Sequence, residues 1–150
     1  MVMTGFVLFS CQKDEKKIVG VWKYEKIEIK ELSCTDPEFE AELRAEIATI
    51  STYVALMGTV EFTKDGKVTL QNAVGSETGT YTLKNKTLTI VISGESPFGG
   101  EKSGGGTMDC TFPKKNTMQW DADALQQGVN EMLSERGVTK YVVRTTLKKQ

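Results

Sequence analysis

The sequence predicts a mainly β protein, an eight-stranded antiparallel up-and-down barrel with one helix after the first strand and one before the last. Three observations lead to this prediction. Apolar and polar side chains alternate through most of the chain, two segments have helical spacing instead, and the alternating segments number eight. Eight strands close a small barrel that is either filled by side chains or wide enough for one small ligand.

The composition of the 150 residues limits the available chemistry. The chain has 19 Lys and Arg, 20 Asp and Glu and a net charge of -1, without a basic stripe, so no nucleic-acid partner is expected. It has no histidine, which removes histidine-based catalysis and metal binding, and its three cysteines are too scattered for a zinc ribbon. We therefore expect that the protein is not an enzyme and that it binds neither a metal nor a cofactor.

The N-terminal segment differs from the rest. Residues 1–10 are uncharged and mostly apolar, Cys11 follows, and residues 12–17 are polar. This order resembles the signal end of a bacterial lipoprotein, which predicts that acyl chains on Cys11 anchor the protein in a membrane. Residues 12–15 also resemble a surface-export tag, so the expected location is the outer membrane, periplasmic or surface-exposed. The alternative is a short buried strand with Cys11 as an ordinary thiol.

The predicted domains are therefore a signal remnant at 1–10, a tether at 11–19 and a barrel at 20–148. The first strand covers 20–30, with a bulge at Glu25 and Lys26 where the alternation changes parity. The helix that follows has a capping-box pattern at 35–38. Its apolar stripe would pack on one end of the barrel and consists of Phe39, Leu43, Ile47, Ile50, Val54 and Met57.

Six strands form the predicted meander. Asp65 with Gly66, and Asn85, mark two of its turns, and residues 94–106 hold six glycines and are expected to form a loop. This loop either gates a cavity or is a disordered connection. The second helix would begin near Asp121 or Asp123 and end at Gly137, before a last strand at 140–147. The meander strands cover 59–64, 67–71, 78–83, 87–92, 107–112 and 117–120.

The opening Gly20-x-Trp22, the repeated pattern of Phe62, Asp65-Gly66 and Gly79-Thr-Tyr81, and the eight strands together resemble the lipocalin-like (calycin) lipoproteins of Gram-negative bacteria. The resemblance implies that Trp22 plugs the closed end of the barrel and that Arg144, in the last strand, packs over it. The chain departs from the family in its two helices, because one replaces the usual lid loop and the other precedes the last strand.

The inward faces of the strands would line a cavity for a small apolar or amphipathic ligand, or else fill a solid core. In the second case the barrel would be a non-enzymatic interaction module for an envelope protein partner at the cell surface. The candidate ligand-binding residues are Tyr24, Phe62, Leu70, Tyr81, Ile90, Met108, Trp120 and Tyr141. After export, Cys34 and Cys110 would form a disulfide, or Cys110 would be a buried thiol.

Overall fold

The computed structural model describes residues 16–95, 101–126 and 130–150. Eight antiparallel strands follow one another around a closed barrel, and the last strand pairs with the first. The strands are β1 (Gly20–Cys34), β2 (Thr59–Phe62), β3 (Lys67–Asn72), β4 (Gly75–Lys84), β5 (Thr87–Glu95), β6 (Glu101–Lys114), β7 (Thr117–Asp123) and β8 (Val138–Lys149). The helices are α1 (Pro37–Thr52) and α2 (Asn130–Glu135), with short 3-10 turns at Val54–Met57 and Ala124–Gln126.

This architecture confirms the predicted fold, including the helix after β1 and the helix before β8. The two ends of the barrel are built differently. The tryptophan end, where Trp22 is fully buried, consists of the start of β1, the turns after β2, β4 and β6, and the end of β8. The helical end carries the connections from β1 to β2 and from β7 to β8, which contain α1 and α2.

The predicted bulge in the first strand is present. The register between β1 and β8 shifts between Tyr24 and Lys26, and shifts again between Ile29 and Glu31. Each extra residue bends the strand and increases its twist, as closure of a small barrel requires. Because of these bulges β1 stays paired with β8 through Cys34, four residues beyond the predicted end of the strand.

Two predicted connections are corrected. The glycine-rich segment 94–106 is not a long loop, because β5 continues to Glu95 and β6 starts at Glu101, with Ile92 opposite Gly104. The predicted second helix is described as a 3-10 turn at Ala124–Gln126, which Asp123 caps, and as α2 from Asn130 to Glu135. Asp121 lies in β7, paired with Arg144, and the helical structure begins only with the 3-10 turn at Ala124–Gln126. Phe98, the proposed tip of the loop, lies outside the described residues.

Helix α1 covers the helical end. Asp36 is its N-cap and accepts hydrogen bonds from the backbone N–H groups of Glu38 and Phe39, so the cap lies one residue after the threonine of the predicted capping box. Its stripe is only partly buried, because Ile50 and Met57 remain exposed. The buried residues Phe39, Leu43 and Ile47 pack with Ile27, Val54, Leu133, Val138 and Tyr141.

A second cluster fills the tryptophan end and the middle of the barrel. Tyr24 packs against both clusters and so lies at the boundary between them. The buried members of this cluster are Ile18, Trp22, Val60, Phe62, Val68, Tyr81, Leu83, Leu88, Ile90, Ile92, Cys110, Met118, Trp120 and Leu147. Each fully buried aliphatic or aromatic side chain contributes roughly 1.5–3 kcal/mol relative to exposure, so this cluster is the main source of stability.

Gly58 and Gly66 make a matched pair for testing the backbone. Both have φ near +80°, which residues with a side chain rarely adopt. A Cβ on Gly58 would lie 1.8 Å from the Gln71 carbonyl oxygen, whereas the atom nearest to a Cβ on Gly66 would be 3.7 Å away. We predict that Gly66→Ala costs about 1–2 kcal/mol from φ alone and Gly58→Ala a further 1–3 kcal/mol, roughly, from the clash. Calorimetric unfolding of both variants measures the difference, and equal costs would contradict the described approach of β3 to Gly58.

Candidate functional site

The barrel interior contains the eight side chains predicted to face it. Phe62, Tyr81, Ile90 and Trp120 are buried members of the cluster at the tryptophan end and the middle. Tyr141 belongs to the cluster under α1. The remaining three, which are Tyr24, Leu70 and Met108, are partly buried against the first cluster. Seven of the eight therefore meet in one part of the barrel, and Tyr24 joins that part to Tyr141.

Aromatic rings fill the centre of the barrel by edge-to-face contacts. Between ring centroids, Phe62 lies 4.8 Å from Tyr81 and 6.2 Å from Trp120. Tyr24 lies 6.1 Å from Trp120, and in all three pairs the ring planes are nearly perpendicular. Such pairs are worth about 0.5–1.5 kcal/mol beyond their burial. The Tyr81 hydroxyl donates to the Thr63 carbonyl at 2.7 Å, so its polar end points to the tryptophan end.

Trp120 has a feature that packing does not explain. Its side chain is 7% exposed, and its indole Nε1 has no acceptor among the described residues. Leaving a buried donor unpaired costs roughly 1–3 kcal/mol. Beside it, burial raises the pKa of Tyr24 to about 12, so the Tyr24 hydroxyl stays protonated even at alkaline pH. The part of the core around Trp120 and Tyr24 therefore presents hydrogen-bond donors.

A cleft of about 550 Å³ opens beside this region, at the helical end. It exists because β6 and β7 separate there. Their pairing ends at Asp109 and Asp121, after which β6 pairs only with β5 and β7 only with β8. Met108 lines the cleft and also packs against the cluster that contains Trp120. The other lining residues are Gly106, Thr107, Asp109, Asp121, Asp123 and Gln126.

Three carboxylates line the mouth of this cleft, and two of them, Asp109 and Asp123, give it a negative character. Asp121 is neutralised, because Arg144 donates to both of its oxygens at 2.7 and 2.9 Å and Lys30 donates to one at 3.0 Å. The hydrogen bonds from Arg144 hold the pKa of Asp121 below its usual range, against the opposing effect of burial. Asp123 accepts from the backbone N–H of Leu125 and caps the 3-10 turn. Such a mouth disfavours an anionic ligand.

Trp22 is fully buried at the tryptophan end, but Arg144 does not pack over it. Arg144 lies opposite Glu28 in the β1–β8 ladder, whereas Lys149 lies opposite Trp22, with its Nζ 5.4 Å from the indole ring centroid. The Trp22 Nε1 donates to the Ile18 carbonyl at 2.7 Å. The cation over the tryptophan is therefore a lysine five residues further along β8, and Arg144 is an ion-pair partner at the cleft.

The proposed disulfide between Cys34 and Cys110 is absent. Both residues are thiols. Cys34 lies at the helical end, where its Sγ is 3.6 Å from the Arg136 carbonyl, and Cys110 is buried in the core opposite Trp120. Through β8 and its register, Cys110 is level with Ile27, and the seven residues from there to Cys34 span roughly 20 Å, far beyond the reach of a disulfide.

The lysine beside Trp22 was not predicted, although the sequence indicates it. Lys149 follows Leu147 by two residues and so faces the same side of β8, towards Trp22. The ion pair of Asp121 with Arg144 had no such signal, because it depends on which residues the closed barrel brings opposite one another. The predicted anchor, Cys11, lies outside the described residues.

Comparison with known proteins provides no family assignment, since no family model and no curated protein matches the chain. Among the described residues, no three His, Cys, Asp or Glu side chains are grouped closely enough to hold a metal ion. None of the helices in that part of the chain has the length and apolar character needed to cross a membrane.

The two tryptophans allow the unpaired donor to be tested. Replacing either by Phe removes similar volume from the core, but Trp22→Phe also leaves the Ile18 carbonyl without its donor, whereas Trp120→Phe breaks no hydrogen bond. We predict that Trp22→Phe lowers the free energy of unfolding by about 1–3 kcal/mol more than Trp120→Phe. Urea unfolding with unchanged m-values measures the difference. A larger loss for Trp120→Phe would show that its Nε1 is paired.

Proposed function

We propose that this protein is a lipid-anchored, lipocalin-like envelope protein that binds one small amphipathic ligand in the middle of its barrel, beside the cleft at the helical end. The observation that carries the proposal is the buried indole N–H of Trp120, which lacks an acceptor among the described residues. A ligand oxygen would supply that acceptor. The apolar surroundings of Trp120, which include Phe62 and Ile90, suit the rest of such a ligand.

The cleft between β6 and β7 is the proposed entrance. It is lined by Met108 next to the core and by Asp109 and Asp123 at its outer edge. Because an anionic group would be repelled by these carboxylates, the preferred ligand is neutral or cationic. The Tyr24 ring lies 6.1 Å from that of Trp120 between centroids, so its hydroxyl offers a second donor in the same buried region.

Binding is tested with two naphthalene probes of similar size. Prodan is neutral and has a ketone oxygen, and anilinonaphthalene sulfonate is anionic. We expect Prodan to bind in a one-to-one complex and the sulfonate to bind more weakly, because of the acidic mouth. Trp120→Phe should weaken Prodan about fivefold, the value of one hydrogen bond, while Trp22→Phe leaves its affinity within about twofold. Fluorescence titration provides all four affinities.

A stronger sulfonate complex, or equal effects of the two tryptophan variants, would contradict the proposed site. Native mass spectrometry of protein purified from its own host tests the same proposal without a surrogate, because a bound small molecule adds a defined mass. If neither experiment finds a ligand, the alternative function is favoured, an interaction module with a filled core. The aromatic contacts that fill the centre of the barrel support that alternative.

The lipid anchor rests on the sequence of residues 1–17, in which an apolar decamer precedes Cys11 and a polar run follows it. We predict that the protein incorporates a radioactive fatty acid when expressed in a Gram-negative host and that Cys11→Ala abolishes the incorporation. Autoradiography of the purified protein measures the label, and Cys34→Ala is the control that should keep it. Label retained by Cys11→Ala would remove the anchor from the proposal.

A further inference from the structure

Lysine is concentrated at the tryptophan end of the barrel. Five chain segments meet there, and each contributes two lysines. In the described part of these five segments Asp65 is the one carboxylate side chain, and Asp14 and Glu15 precede Lys16 in the sequence. The ten lysines are Lys16 and Lys17 before β1, Lys64 and Lys67 at the turn after β2, Lys84 and Lys86 at the turn after β4, Lys114 and Lys115 at the turn after β6, and Lys148 and Lys149 at the end of β8.

The opposite end has the opposite charge. The two helical connections, residues 35–58 and 124–137, contain seven carboxylates and two arginines. This separation is invisible in the net charge of -1. It follows from the barrel topology, because antiparallel strands in chain order bring alternate connections to the same end. The protein is therefore a strong electric dipole along the barrel axis, with its positive pole at the tryptophan end.

Most of these lysines are available to a partner. Eight of the ten are exposed, and Lys148 and Lys149 are partly buried. A pocket of about 570 Å³ is lined by Lys16, Lys64 and Lys84 together with the apolar or aromatic residues Val19, Leu83 and Tyr81. A pocket lined by both lysines and apolar side chains suits a phosphate group that is attached to hydrocarbon.

We infer that the tryptophan end is a docking surface for a bilayer that carries anionic lipid phosphates. Charge complementarity and the course of the chain both favour this partner. Residues 16–18 pack at the tryptophan end, where Ile18 is fully buried and Lys149 Nζ is 3.4 Å from the Lys17 carbonyl. Six residue steps separate Lys16 from Ser10, the last residue of the apolar segment, and they span at most about 21 Å.

This short distance keeps the tryptophan end of the barrel close to residues 1–10. If residues 1–10 or a modified Cys11 enter a membrane, the lysine-rich end is the part of the barrel closest to it. Phosphates within a Debye length of about 8 Å would attract the lysines of this end, whereas the reversed orientation would bring the carboxylates of α1 to the phosphates and be disfavoured. The barrel would then stand with its tryptophan end on the bilayer and its cleft facing away. The inference shares its membrane setting with the proposed function but requires neither the ligand nor acylation of Cys11.

The test uses the full chain with Cys11→Ala, so that no acyl chain contributes, and vesicles of phosphatidylcholine with or without phosphatidylglycerol. We expect binding mainly to the anionic vesicles and a marked loss when sodium chloride rises from about 0.05 to about 0.5 M. Lys114→Gln with Lys115→Gln should weaken that binding about 25-fold, since each lysine near the surface contributes about fivefold. Sedimentation of the vesicles measures the bound fraction.

The matched control is Arg44→Gln with Lys140→Gln, which makes the same charge change at the helical end and should alter binding less than about twofold. Equal losses for the two double variants would overturn the inference, because only net charge would then matter. Equal binding to both kinds of vesicle would do the same, as would a tighter complex with duplex DNA at the same salt concentration. None of these outcomes bears on Prodan binding or on fatty-acid labelling.

Discussion

Closure of the barrel through the pairing of β1 with β8 is the interaction on which the rest of the structure depends. These strands pair from Trp22–Lys149 to Cys34–Val138, whereas β1 pairs with β2 over only four residues. Beyond Lys23 the other edge of β1 therefore has no strand partner in the part of the chain that the structure describes, and α1 packs against this half of β1 instead. Without the long ladder to β8, neither the covered helical end nor the buried Trp22 would be positioned.

The sequence predicted this architecture because the evidence for it is local. Period-two alternation identified the six meander strands, turn residues such as Asn85 marked their ends, and the parity change at Glu25 identified the bulge. Asn85 and Lys86 indeed have positive φ, as the tight turn between β4 and β5 requires. Eight strands in succession then leave little freedom in how a barrel closes.

What the sequence could not predict depends on long-range register or on backbone pairing alone. Gly104 to Gly106 lack side chains and show no alternation, so their place in β6 comes only from hydrogen bonding to β5. Arg144 and Lys149 are both basic residues of one strand, and only the register with β1 decides which lies beside Trp22. The unpaired donor of Trp120 and the cleft beside Met108 also appear only when the strands are assembled.

The boundary that Tyr24 forms between the two clusters has a consequence for how the protein opens. The helical half is covered by α1, of which only three side chains are buried, while the other half is enclosed by ladders from all eight strands. Detaching α1 exposes far less apolar surface than breaking a ladder, so it requires less free energy than global unfolding. Sub-global opening of the helical half thus leaves the tryptophan end folded, and exchange of the proposed ligand would not require unfolding of the barrel.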